Sequence, residues 1–134
     1  MEANDKILDQ NFKNGFSVRM VNAIVCSNIN RAAILYLLKN VPKNEMQAEK
    51  ISERLGISHR TALYHLNVLG DCGVAEVRKH RMKGKELVRS VWGLSTQNDV
   101  DIILPHITKE FEANELEKMI NKNSSGRRKS SALN

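Results

Sequence analysis

From residue 27 onward the apolar positions fall into a helical period. In SNINRAAILYLLKNV, Ile34, Leu37, Leu38 and Val41 share one face. Ala32 and Leu35 add apolar surface on another side, which predicts a helix covered from two directions. Ser27 or Asn28 can cap its start, and Pro42 stops it. A second, shorter helix follows in QAEKISERLG, with Ala48, Ile51 and Leu55 as its buried stripe and Gly56 as a left-handed stop. A third begins at once, with Ser58 at the N-cap and Ala62, Leu66 and Leu69 on the inner face. At about 100° per residue, His59, Arg60, Leu63, Tyr64 and Asn67 then fall on a different, outward face.

Beyond Gly73 the period shortens. VAEVRKH and ELVRSVWGLS alternate around the turn RMKGK, which predicts a β-hairpin with a basic, glycine-containing tip. In NDVDIILPHITKEFEANELEKMI, Val100, Ile103, Leu104, Ile107 and Phe111 return to helical spacing, and Pro105 should kink or divide that helix. The N-terminal stretch carries Phe12, Phe16, Val18, Met20, Val21 and Ile24, too much apolar surface to leave in water. The tail NKNSSGRRKSSALN has almost nothing to bury and is expected to be disordered. The expected fold class is mainly α with a small β-hairpin (α+β). Its parts are an N-terminal segment over 1–26, a helix-turn-helix with a wing over 27–95, a C-terminal helical segment over 96–121, and a basic tail over 122–134.

Charge sharpens this picture. The formal charge is +6 on 134 residues, but it is unevenly placed. Residues 78–85 hold five Lys and Arg side chains and no acid, and the tail adds Lys122, Arg127, Arg128 and Lys129. Between them, 99–120 holds six acids against Lys109 and Lys118. A basic hairpin beside an exposed polar helix face suits a polyanion, and double-stranded DNA above all, since the major groove admits one α-helix. Aromatics are only 4% of the chain, so the core must be built of Leu, Ile, Val and Ala. No apolar run approaches the roughly 20 residues needed to span a bilayer, and the N-terminus does not read as a secretory signal. Cys26 and Cys72 make no disulfide framework, and a cytoplasmic, nucleoid-associated location is expected.

The stretch from Ala48 to Leu94 resembles the winged helix-turn-helix of ArsR-type repressors and their archaeal relatives. The L-G-I-S turn, the Y-H-L-x-V-L run and the G-V-A-E-V start of the hairpin carry the likeness, and NINRAAILYLLKN resembles the helix that precedes it. These motifs are more specific for the fold than for this family over MarR-like or TrmB-like neighbours. The resemblance implies a prokaryotic transcription regulator that binds a pseudopalindromic operator as a homodimer and usually represses. By position it places Ser58, His59, Arg60, Leu63, Tyr64 and Asn67 against DNA. The basic hairpin adds Arg78, Lys79, Arg81, Lys83 and Lys85 as wing contacts. Leu63 departs from the family, which often has a small polar residue there.

Metal sensing has no matched motif. The paired cysteines of the metal-sensing forms are missing from QAEKISE, and Asp99, Asp101, His106 and Glu110 have the wrong spacing for the C-terminal type of site. No cofactor is expected, and neither a phosphate-cradling loop nor a nucleophile with an evident base suggests an enzyme. His65 reads as a partly buried, hydrogen-bonded histidine and Trp92 as packing. Two rivals remain open: a winged helix used as a protein-interaction module, and a sequence-neutral chromatin protein. A dimer through the terminal segments is expected to cover Ala32, Leu35 and the apolar stripe of the C-terminal helix.

Overall fold

The computed structural model describes residues 8–81, 84 and 88–121. The basic tail, the first seven residues, and the predicted wing contacts Lys83 and Lys85 lie outside the described residues. Helix α1 spans Val18–Cys26 and α2 spans Ile29–Lys39, and the two meet at 107°. Their starts are fixed by side-chain caps: Ser17 accepts from Met20 N, and Asn28 accepts from Asn30 N. A 3₁₀ turn (Pro42–Asn44) and strand β1 (Glu45–Met46) lead into α3, Ala48–Leu55. Gly56 takes φ 70°, a left-handed conformation open to glycine, and turns the chain into α4, His59–Asp71. Strands β2 (Ala75–Arg81) and β3 (Val88–Leu94) form the hairpin.

The sheet order is β1-β3-β2, all antiparallel. Its third strand is the element the sequence does not announce, because two residues carry no period. The register pairs Val77 with Trp92 and Arg78 with Val91, so alternate residues of both strands point to opposite faces. After the wing the chain does break at the proline. A 3₁₀ turn at Val100–Ile102 precedes α5, Leu104–Glu110, with Pro105 in the first turn, where its missing N–H costs nothing. An extended Phe111 separates α5 from α6, which covers 113–121.

One apolar core joins all of this. Val18, Val21 and Val25 of α1, Ala32, Ile34, Leu35 and Leu38 of α2, Ile51 of α3, and Leu66 and Leu69 of α4 are fully buried together with Ile103, Ile107 and Leu116. The terminal segments therefore fold back and complete the core within a single chain. This corrects the expectation that a second copy must cover Ala32, Leu35 and the C-terminal stripe: α1, α5 and α6 do so. Polar ties hold the outer helices in place. Tyr36 Oη donates to Glu117 Oε1 at 3.1 Å, and Arg54 of α3 donates to Ile120 O at 2.7 Å and Asn121 Oδ1 at 3.3 Å, satisfying a carbonyl at the end of α6. No single helix among the described residues is long and apolar enough to cross a membrane.

Candidate nucleic-acid interface

The site is built on α4. Ser58 Oγ accepts from Thr61 N at 3.0 Å and donates to Thr61 Oγ1 at 2.9 Å, so this side chain is engaged in starting the helix. His59, Arg60, Tyr64 and Asn67 project from the outward face and are all exposed, while Leu63 beside them is half-buried. Among the described residues, the side chains of His59, Arg60 and Asn67 have no hydrogen-bond or ion-pair partner. The inner face of the same helix is apolar and covered: Ala62, Leu66 and Leu69 are fully buried.

An arginine that the sequence reading passed over holds this helix from behind. Arg31 of α2 donates from Nη1 to Ile24 O (2.9 Å) and Ser27 Oγ (3.0 Å) at the end of α1, and from Nε to His65 Nδ1 (3.2 Å). Its guanidinium carbon also lies 5.9 Å from the centre of the Tyr64 ring, which meets the His65 ring edge-on. Because Nδ1 accepts, His65 carries its proton on Nε2. Burial, then the neighbouring Arg31 cation, hold the His65 pKa below its ordinary value, so it is neutral at physiological pH. In sequence Arg31 is an ordinary polar residue at the start of a helix, and no local signal distinguishes it.

The wing splits Arg78, Lys79 and Arg81 between two faces. Val77, Lys79 and Arg81 share the face that carries Trp92, whose ring lies against Gly70 near the end of α4. Lys79 and Arg81 are exposed and extend that surface outward. Glu76, Arg78 and His80 point the other way. Arg78 is thereby corrected from a free wing cation to an internal clamp. Its guanidinium donates to Glu76 Oε2 (3.1 Å), Lys43 O (2.9 Å), Glu45 Oε1 (3.0 Å) and Leu94 O (2.6 Å). Room for it exists only because residue 93 is glycine: a Cβ there would lie 2.6 Å from Arg78 Cζ. The hydrogen bond from Arg78 lowers the Glu45 pKa, with His80 Nε2 adding to it from 2.7 Å against the opposing effect of burial. The alternation of Glu76, Arg78 and His80 is the one sequence signal that places them on a common face.

The remaining singled-out residues stand apart from α4. Asp99 caps the 3₁₀ turn, Asp101 pairs with Lys39 at 2.7 Å, and His106 and Glu110 line a shallow cleft with Cys26 between α1 and α5. Among the described residues, no three His, Cys, Asp or Glu side chains are grouped to hold a metal. Burial pushes the Cys72 thiol up to about 11 and also raises that of Cys26, with Glu110 contributing, which suppresses the nucleophilic thiolate form of both.

Two helices joined by a short turn, preceded by a supporting helix and followed by a hairpin, define a winged helix-turn-helix, and the chain is a DNA-binding transcription regulator. Residues 29–77, from the start of α2 into β2, match the family described as bacterial regulatory protein, arsR family, so this stretch is an ArsR-type regulatory domain. No curated protein matches the chain. The outer wing, α1, α5 and α6 lie beyond the matched residues.

Proposed function

We propose that the protein is a sequence-specific regulator of transcription in which α4 reads the major groove and the wing grips the flanking backbone. The observation that carries this reading is the exposed, unpartnered set His59, Arg60 and Asn67 on an otherwise well-packed helix. Arg suits guanine O6 and N7, and Asn suits adenine N6 and N7, each in bidentate geometry. Tyr64 and Leu63 supply apolar surface that fits a thymine methyl, and Ser58 contributes through the backbone of the helix start. Lys79 and Arg81, and Lys83 and Lys85 that follow them in sequence, act on phosphates and so set register and salt dependence. The test is gel-shift competition at fixed salt, using sites selected from a random duplex pool. One sequence should win over bulk DNA by at least about 10³. Equal competition by all duplexes would leave a sequence-neutral binder instead.

We further propose that two copies act together on a pseudopalindromic operator and repress. Support comes from the family likeness, because the apolar surface that would have demanded a partner is covered within the chain. Sedimentation equilibrium with and without operator is the measurement. A 15.2 kDa species that stays monomeric on a two-half-site operator sinks the dimer and leaves the DNA reading intact.

A further inference from the structure

The face of the sheet turned away from Trp92 carries a second basic surface. A groove of about 440 Å³ runs between α3, the Pro42–Asn44 turn, and strands β1 and β3. Val91, almost fully buried, forms its floor. Lys43, Lys50, Arg54 and Arg89 line it, and the single acid among its lining residues is Glu45. Arg78 and His80 hold that carboxylate at 3.0 and 2.7 Å, and the groove lining carries four cationic side chains to this one acid. Among the described residues, Lys43, Lys50 and Arg89 have no ion-pair partner, and all three are exposed. Arg54 is committed to the end of α6.

The backbone is arranged to hold Lys43 there. Lys43 has φ 59° and ψ 8°, and Asn44 follows with φ 55°. Two successive left-handed residues without a glycine are uncommon, and for lysine the conformation is disfavoured. It persists because Arg78 donates to Lys43 O at 2.9 Å, and Asn44 N donates to Val41 O at 3.0 Å. These bonds fix the backbone from which the Lys43 side chain leaves, at the edge of a groove rich in cations.

We propose that this groove is a second DNA-backbone surface, engaging phosphates beyond those reached by α4 and the recognition side of the wing. The proposal rests on the DNA-binding reading above and extends it. The groove and the Lys79–Arg81 surface lie on opposite faces of one sheet, so they cannot meet the same phosphates. The groove therefore contributes only when the duplex extends past the segment that α4 occupies. Three added phosphate contacts steepen the dependence of log K on log salt by about 2.7, at ~0.9 per contact.

The test uses the full chain and two duplexes, one just long enough to hold both halves of the selected site and one about two helical turns longer. The triple variant Lys43→Gln, Lys50→Gln, Arg89→Gln is expected to match the wild type on the short duplex. On the long one it should lose affinity by on the order of tenfold, with a flatter salt slope and unchanged sequence preference. A single variant, Lys43→Asn, checks the strain argument, because asparagine tolerates the left-handed region. It should melt no lower than the wild type yet bind the long duplex more weakly. Wild-type binding with the same slope in the triple variant on the long duplex overturns the proposal alone. Failure of the wild type to bind any duplex overturns it together with the regulator reading. Binding of inorganic phosphate by the wild type and not the triple variant, with equal duplex binding by both, makes the groove a small-anion site and also overturns it.

Discussion

Arg31→Ala tests how the recognition helix is held. The substitution leaves His65 Nδ1 without its donor in a residue only 5% exposed, which costs about 1–3 kcal/mol. Loss of the cation beside the exposed Tyr64 ring adds about 0.5–1 kcal/mol. Ile24 O and Ser27 Oγ can turn to water, so the sum is about 1.5–4 kcal/mol. For a chain of this length that corresponds to a fall in melting temperature of about 5–20 °C. The pH dependence supplies a sharper signature. His65 has a folded-state pKa below its unfolded value, so the folded form refuses a proton that the unfolded form accepts. Wild-type stability is then fully present above about pH 6.5 and declines as pH falls through and below that value. Removing Arg31 abolishes one of the two causes of the depression, and the variant should lose less on acidification. Urea unfolding followed by circular dichroism at pH 8 and pH 5 measures both quantities. The variant's deficit should be larger at pH 8 than at pH 5. A deficit that is the same at both, or below about 0.5 kcal/mol throughout, refutes the reasoning.

Arg60→Ala should weaken binding to the best site by about 1–3 kcal/mol and relax preference at one base position; unchanged affinity with an intact far-ultraviolet spectrum removes Arg60 from the interface. Neutralising Arg81, Lys83 and Lys85 together should lower affinity for every sequence alike and flatten the salt dependence; an unchanged slope means the wing does not touch phosphate. Gly93→Ala places a methyl 2.6 Å from Arg78 Cζ and should cost about 1–3 kcal/mol in thermal unfolding. Combining it with Arg78→Ala should cost less than the sum of the two single changes, and strict additivity would mean that the clash is relieved elsewhere.

The helix-turn-helix was legible because its signals are local and agree: an N-cap serine, a left-handed glycine in the turn, and apolar stripes at helical spacing. The outward face of α4 followed from periodicity alone, and so did the hairpin. Three things were not legible. Strand β1 is too short to show a period and exists only through its pairing with β3. Arg78 read as one cation in a basic run, because its partners Glu45 and Lys43 lie more than thirty residues away in sequence. The apolar excess of α1 and the C-terminal helices suggested a partner chain, since composition tells how much surface must be covered and not which molecule covers it. The structure answers that with α5 and α6 folded over α1 and α2.

That arrangement makes the DNA reader a poor transplant. Residues 27–95, which contain the family match, look in sequence like a portable cassette. Excised, they would strip α2 of the neighbours α1 and α5 and would leave Arg54 without the carbonyl it caps. A graft of this specificity onto another scaffold must therefore carry both flanks with it, and exchange of operator preference between relatives is better done by resurfacing α4 in place than by moving the segment whole.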